Sequence, residues 1–153
     1  MKKKKEGIFY LMIGVGIILF DQMTKWLAFS KISGTYTVTS WLTFRLILNR
    51  GFAFGMFNSS DTIPFLLITA SIIIITLIIS AAAYIGFLNN YLIVGELLII
   101  SGSLSNLIDR FVHHGVVDFI QLSCKGWLWP VFNLADCCII LGVILILLVQ
   151  KFR

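Results

Sequence analysis

The sequence predicts an all-α polytopic membrane protein with four transmembrane helices and a small extracytoplasmic β-structure. The first observation is composition, because the 153 residues are 59% hydrophobic and 12% charged, with a mean hydropathy of +0.98. Soluble domains carry about 25% charged residues. The second observation is four apolar stretches that approach the roughly 20 residues needed to cross a bilayer. The third is a stretch of alternating polar and apolar residues between the first two spans. We expect one membrane-embedded domain over residues 1–153.

The predicted spans are separated by two long connections and one short one. The spans cover about residues 8–29, 62–87, 91–108 and 132–149. The sequence GFLNN (86–90) is typical of a tight turn between the second and third spans. Residues 30–61 and 109–131 are the predicted outer loops.

Charge sets the expected orientation. The run KKKK at positions 2–5 supplies almost all of the net charge of +5. Positive residues beside an apolar span mark its cytoplasmic side, so both termini are predicted in the cytoplasm and both long loops outside. The first span is long and carries Asp21 and Lys25 near its end, which favours a retained helix over a cleaved signal peptide. The sequence contains neither a Gly-rich phosphate-binding loop nor a basic stripe that alternates with aromatic residues, so we expect no nucleic-acid partner.

The first outer loop contains TYTVTSWLTFRLILN (35–49), in which apolar and polar residues alternate. This period of two, rich in β-branched and aromatic residues, predicts a strand or hairpin. One face of it would lie on the bilayer or on a lipidic ligand. The apolar positions of one parity are Tyr36, Val38, Leu42, Phe44, Leu46 and Leu48.

The cysteines and histidines indicate neither a disulfide nor a metal site. Cys137 and Cys138 are adjacent, so they point in different directions on a helix, and Cys124 stands apart. His113 and His114 lie in a predicted loop without a third ligand at a suitable spacing. We therefore expect no metal and no cofactor.

Polar residues concentrate near the outer ends of the predicted spans, where the topology brings them to one membrane face. Ionisable groups at such depth are costly and usually functional, because each must be paired or hydrated. They are Asp21, Lys25, Asn49, Arg50, Gly51, Gly55, Asn106, Asp109, Arg110, Asp118, Asn133 and Asp136.

Several of these residues also have a purely structural interpretation. Asp21 and Lys25 are spaced i, i+4 and can form a structural ion pair. Asp109 and Arg110 can anchor a helix end at the lipid headgroups. Glu96, deeper in the third span, reads as a lone buried or snorkelling carboxyl. Interhelical hydrogen bonds alone could account for Asn106 and Asn133.

Three carboxylates, Asp109, Asp118 and Asp136, point more clearly to catalysis. Two carboxyl groups held close in a poorly hydrated site cannot both ionise cheaply, so one keeps its proton. Such a pair can activate a water and protonate a leaving amine, which is the chemistry of an aspartic peptidase. Spacing alone leaves open which two of the three form the pair.

At these residues the chain resembles the lipoprotein signal peptidases, the type II signal peptidases of bacteria. The resemblance covers nearly the whole chain and rests on five motifs in the same order. They are DQMTK (21–25), NRGFAFG (49–55), SNLIDR (105–110), VVDFI (116–120) and FNLAD (132–136).

The resemblance implies a membrane-embedded aspartic endopeptidase of the bacterial inner membrane. It would cut diacylglyceryl-modified lipoprotein precursors on the N-terminal side of the lipidated cysteine. By this resemblance Asp118 and Asp136 are catalytic, and a small β-cradle occupies residues 35–48. We expect a monomer in contact with membrane lipid. Supporting or substrate-binding roles fall to Asp21, Lys25, Asn49, Arg50, Gly51, Asn106, Asp109, Arg110 and Asn133.

One segment departs from the family pattern. The family usually has GGAxGN before its LIDR sequence, whereas this chain has SGSLSN (101–106). Serine is still small, so close helix packing is expected to survive. The hydroxyls of Ser101, Ser103 and Ser105 are expected to bear on rate and inhibitor response more than on reaction class.

A different class of function, a small proton or ion translocator, is the alternative. A relay would use acids spread through the membrane depth, such as Asp21, Glu96, Asp109 and Asp136. Here the acids cluster at the outer end and only Glu96 is deeper, which favours the peptidase. A passive membrane scaffold would explain the spans but not the converging acids.

Overall fold

A computed structural model describes residues 2–51 and 61–150, and the part of the NRGFAFG motif after Gly51 lies outside them. In this part of the chain, four helices and one four-stranded sheet are present. The elements are α1 (Lys2–Lys31), β1 (Thr35–Thr37), β2 (Leu42–Asn49), α2 (Thr62–Leu88), α3 (Val94–His113), β3 (Val116–Cys124), β4 (Trp127–Leu128) and α4 (Leu134–Gln150). The prediction of four helices with a small sheet is confirmed.

Two of the described helices are long and apolar enough to cross a membrane. They are Lys3–Lys31, with a hydropathy of 1.6, and Thr62–Leu88, with a hydropathy of 2.7. Leu134–Leu148 is a shorter apolar helix. Side chains such as Met12 and Ile63, 68% and 73% exposed, give α1 and α2 apolar outer surfaces. Crossing by all four helices therefore stays a prediction.

The ends of α3 differ from the predicted third span. The helix continues to His113, so Asp109 and Arg110 lie within it and not in the following loop. It ends at His114, which adopts the left-handed conformation with φ of 55° and lets the chain turn into β3. At the other end, the predicted tight turn is confirmed: Asn89 and Tyr91 donate backbone hydrogen bonds to Gly86 O at 3.1 and 2.9 Å.

The sheet is antiparallel throughout, in the order β1-β2-β3-β4. The predicted hairpin at 35–49 is confirmed, with Thr35 opposite Arg45. The predicted connection over 109–131 contains a strand that the sequence analysis did not identify, because β3 forms there and pairs with β2, placing Asn49 opposite Val116. This pairing joins segments far apart in sequence, so local periodicity did not reveal it.

A register shift in β2 changes which residues face inward. Between Phe44 and Ile47 the pairing skips a residue: Phe44 lies opposite Ile120, and Ile47 lies opposite Asp118. An extra residue in one strand reverses the alternation beyond it. Leu48 is therefore 43% exposed and Asn49 only 3% exposed, against the alternation predicted for this segment. The bulge brings Asn49 to the side of Asp118.

Helices α3 and α4 approach each other at small residues. A Cβ atom added to Gly142 would lie 2.6 Å from the carbonyl oxygen of Gly95, and one added to Gly102 would lie 2.6 Å from that of Ala135. Real side chains cannot be that close, so the two backbones are in direct contact at both places. The second contact holds the first turn of α4 against the middle of α3.

Candidate active site

The site residues predicted from the sequence come together within the described structure. Gly55 lies outside the described residues, and the others are all buried except Arg50, which is half-buried. They come from α1, the end of β2, the C-terminal half of α3, the start of β3 and the start of α4. The ionisable members of the buried set are Asp21, Lys25, Asp109, Arg110, Asp118 and Asp136.

Asparagine side chains connect the carboxyl groups of Asp118 and Asp136. Asn133 Nδ2 donates to Asp118 Oδ1 at 2.7 Å and to Asn106 Oδ1 at 3.2 Å. Asn106 Nδ2 in turn donates to Asp136 Oδ1 at 3.0 Å. The second oxygen of Asp118 accepts a bond from Asn49 Nδ2 at 3.0 Å. Of the three candidate acids, these two are linked through asparagine side chains alone, whereas Asp109 is linked to Asn106 through Lys25.

The local sequence explains why a carboxylate can stand at the start of the apolar helix α4. Asn133 precedes the helix, and its Oδ1 accepts the backbone N–H of Asp136 at 2.9 Å. Asp136 Oδ2 accepts the backbone N–H of Asn133 at 3.4 Å. This reciprocal pairing is a capping box, and the helix dipole favours negative charge at the same end. The first turn of α4 therefore both fixes and stabilises this carboxylate.

Lys25 is one of two buried cations of the site, the other being Arg110. Its Nζ lies 2.7 Å from Asp21 Oδ2, 2.9 Å from Asp109 Oδ2 and 2.7 Å from Asn106 Oδ1. The three donors of the ammonium group thus have three acceptors, which a buried charge needs. Asp109 also accepts the Val117 backbone N–H at 3.1 Å. Asp109 is therefore bound into the scaffold beside β3.

Arg110 holds the chain that follows β2. Its guanidinium donates to the backbone oxygens of Arg50, at 3.3 Å, and of Gly51, and to Thr69 Oγ1 at 3.3 Å. Its charge also lies 5.5 Å from the ring centroid of Phe65. Asp109 and Arg110 are only 1% and 2% exposed, so their interpretation as a headgroup anchor is wrong.

The proton affinity of Asp118 is unusual for a carboxyl group. Burial, and secondly the negative charge of Asp136, raise the pKa of Asp118 from 3.8 to about 7. Hydrogen bonds from Asn49 and Asn133 and the charge of Lys25 act in the opposite direction. A carboxyl group with this pKa can hold a proton at neutral pH and release it during a reaction.

A cavity of about 260 Å³ opens beside Asn106 and Asp136. Asn49, Gly51, Asn106, Arg110 and Asp136 line its polar end. The rest is apolar and lies among α2, α3 and α4. It is lined by Ile72, Ile75, Ile79, Ile99, Val116, Ile139 and Val143, together with Ser103.

The cluster has two further members, Gln22, which sequence reasoning did not single out, and Ser105, which it named only as a departure from the family pattern. Gln22 Nε2 donates to Asp109 Oδ1 at 2.8 Å and to Ser105 Oγ at 3.0 Å. Ser105 Oγ donates to Asp21 Oδ2 at 2.6 Å. Gln22 lies inside the DQMTK motif and Ser105 inside the divergent SGSLSN segment, so their motif positions were the available signal.

The other polar candidates lie apart from the cluster. Glu96 is half-buried in the first turn of α3, roughly 20 Å along the helix from Asp109. His113 is part of α3 and not of the loop predicted from the sequence, and it stacks on Phe29 with ring centroids 5.1 Å apart. Within residues 2–51 and 61–150, no group of three metal-ligating side chains is present.

The fold and site define a helical protein with apolar outer surfaces and a buried aspartate pair, of which Asp136 lines the polar end of an apolar cavity. Residues 13–152 match the family model described as signal peptidase (SPase) II. The chain belongs to the signal peptidase II family, whose members are proteases of lipoprotein processing in bacterial membranes.

Similar proteins cover most of the chain. The lipoprotein signal peptidase of Thermodesulfovibrio yellowstonii is 38% identical over 134 residues, which is 84% of this chain and 85% of the relative. That of Aquifex aeolicus is 36% identical over 152 residues, or 97% and 89%. One solved structure of a bacterial membrane enzyme, 30% identical, superposes with a TM-score of 0.74 over 94% of this chain and 87% of the other. A second, 29% identical, gives 0.70 over 93% and 92%.

Proposed function

We propose that the protein is an intramembrane aspartic endopeptidase that removes the signal peptide from diacylglyceryl-modified lipoprotein precursors. It cuts on the N-terminal side of the lipidated cysteine, at the outer face of the bacterial inner membrane, and it works without a metal. Asp118 and Asp136 are its catalytic pair. The observation that carries the proposal is the hydrogen-bonded group in which Asn133 and Asn106 connect these two buried carboxyls.

The two carboxyl groups have different roles because their surroundings differ. Asp118 is the protonated member, since its pKa is raised to about 7. Asp136 is the ionised member, since it accepts hydrogen bonds at the N-terminus of α4. Asp136 takes a proton from a water, whose oxygen attacks the carbonyl carbon of the scissile bond. The Asp118 hydroxyl polarises the carbonyl oxygen.

The second step breaks the peptide bond. As the tetrahedral intermediate collapses, the C–N bond cleaves and the amine of the lipidated cysteine leaves with a proton from the carboxylic acid pair. The signal peptide leaves with the new carboxyl group. Asn133, which donates to one carboxyl and caps the helix of the other, keeps the pair in place during the reaction.

The cavity fits the proposed substrate class. Its apolar part among α2, α3 and α4 suits the apolar segment of a signal peptide, and its polar end lies at Asp136. A bound peptide would therefore meet Asp136 of the catalytic pair where its apolar segment ends. The selection of a lipidated cysteine requires the acyl chains to remain in the surrounding lipid.

The same proposal includes a four-span topology for a single domain. α3 has 20 residues and α4 has 17, which correspond to roughly 30 and 25 Å of helix. These lengths approach the hydrocarbon thickness of about 30 Å. Asp109, Arg110 and Asp136 are buried inside the protein, so they do not oppose insertion of α3 and α4.

The direct test is cleavage of a defined precursor by purified protein in detergent. We expect a product that begins at the diacylglyceryl-modified cysteine, formed at the same rate with and without a metal chelator. The matched control is the same precursor without the lipid, which should remain uncut. Inhibition by the chelator would contradict the metal-free mechanism, and cleavage of both precursors at equal rates would contradict the proposed substrate.

A further inference from the structure

We infer that Ser105 is a positioning residue of the peptidase site, which acts on Asp136 through Asp21. The inference rests on the proposed function, because its effect is measured as cleavage. Ser105 lies in α3, one residue before Asn106, and it is completely buried. It does not line the substrate cavity.

The Ser105 hydroxyl is a two-way connection between α1 and α3. It donates to Asp21 Oδ2 at 2.6 Å and accepts from Gln22 Nε2 at 3.0 Å. Gln22 also donates to the Ser105 backbone oxygen at 3.0 Å. The rotation of this hydroxyl is therefore fixed by consecutive residues of one helix, and its proton points at Asp21.

Asp21 carries the connection on to α4. Its other oxygen, Oδ1, accepts the backbone N–H of Ala135 at 2.8 Å. Ala135 is fully buried and directly precedes Asp136 in the capping turn. A rotation of the Asp21 carboxyl would thus break its hydrogen bond to the Ala135 N–H. The capping turn would then shift, and the backbone of Asp136 would shift with it.

Lys25 alone would not hold Asp21 in this orientation. Its ammonium group, 2.7 Å from Asp21 Oδ2, is shared with Asp109 and Asn106. Without the Ser105 hydroxyl, Oδ2 loses a charge-assisted donor in a buried place. The carboxyl can then turn toward the remaining cation, and the bond to Ala135 weakens.

Ser101 is a matched control one helical turn earlier in α3. It is 1% exposed, so it is buried like Ser105, and its hydroxyl lies beside Gly14 and not beside an acid. Ser101→Ala removes the same atom from a buried position as Ser105→Ala does, but it leaves Asp21 untouched. Ser103 is unsuitable as a control because it lines the cavity.

The experiment measures kcat and KM for cleavage of the lipidated precursor by wild type and variants in one detergent. We expect Ser105→Ala to lower kcat about tenfold, because a small displacement of a reacting group has large effects. KM should stay within about twofold, because Ser105 does not reach the cavity. Ser105→Cys, which has a similar shape and a weaker donor, should have a kcat between those of wild type and Ser105→Ala. Ser101→Ala should match wild type.

A double-variant cycle shows whether the effect passes through Asp21. If it does, Ser105→Ala combined with Asp21→Asn should be no slower than Asp21→Asn alone. The inference is overturned if Ser105→Ala keeps its wild-type kcat, if its full loss recurs in the Asp21→Asn background, or if Ser105→Cys equals wild type. An inactive wild-type enzyme would instead refute the proposed function and the inference together.

Discussion

At the scale of single residues, the burial of Asp136 is explained by its immediate neighbours. It occupies the third helical position of α4, where the capping partner Asn133 binds its N–H and offers an N–H in return. Asn106 donates to its other oxygen. A charge that would be costly in an apolar helix interior is thus placed where backbone and side-chain donors converge.

The raised pKa of Asp118 predicts that the stability of the protein depends on pH. Its pKa is raised from 3.8 to about 7, so between these values the folded protein keeps a proton that the unfolded chain releases. Its stabilising effect is complete below pH 3.8 and is lost as the pH rises to about 7. We expect the unfolding temperature in detergent to fall over this range more steeply for wild type than for Asp118→Asn. Equal slopes would contradict the raised pKa.

Asn133 should contribute to stability as well as to catalysis. Asn133→Ala removes the cap of α4 and leaves Asp118 without one donor, with an expected loss of about 2–4 kcal/mol of unfolding free energy. Asn89→Ala, at the exposed end of α2, is the matched control and should lose less than about 0.5 kcal/mol. Denaturant titration in detergent measures both, and similar losses would refute the capping role.

At the scale of secondary-structure elements, local patterns predicted the helices but not the complete sheet. The four apolar stretches correctly predicted four helices, and the alternation at 35–49 correctly predicted the β1–β2 hairpin. β3 was missed because its partner β2 is distant in sequence. The β2 bulge was missed because it depends on that pairing. These long-range features bring Asn49 to Asp118.

The close approach of α3 and α4 gives a prediction about Gly102. In Gly102→Ala the new methyl group would lie 2.6 Å from the Ala135 oxygen, so the first turn of α4 must move. We expect cleavage to fall at least about tenfold, since this turn carries Asp136. Gly16→Ala is the control, because a Cβ there meets no atom within 4 Å. An initial-rate assay compares them, and near-equal activity would refute the importance of this contact.

At the scale of the whole molecule, the topology predicted from charge was enough to locate the candidate site from the sequence alone. Placing both long loops on one side brought Asp21, Asp109, Asp118 and Asp136 to one face, and the described structure confirms that they cluster. The pairing of Asp118 with Asp136 rested on the family resemblance. Spacing could not distinguish them from Asp109, whose partners Lys25 and Gln22 come from another helix.

Cys124 offers a test of the proposed orientation. It is exposed at the end of β3. The proposed topology puts this strand outside the cytoplasm and the α2–α3 turn inside. We expect a membrane-impermeant maleimide to label intact cells at Cys124 and not at Asn89→Cys in a Cys124→Ser background. The background variants Cys137→Ala and Cys138→Ala remove the other thiols. Labelling of the turn alone would reverse the topology.

The central claim is that Asp118 and Asp136 together perform the cleavage, and one measurement tests it most directly. Initial rates on the lipidated precursor are compared for wild type, Asp118→Asn, Asp136→Asn and the double variant, each with its unfolding temperature in the same detergent. We predict that each single variant loses at least about a thousandfold in rate while remaining folded, and that the double variant is no slower. A folded Asp118→Asn or Asp136→Asn variant that cleaves at nearly the wild-type rate would contradict the account.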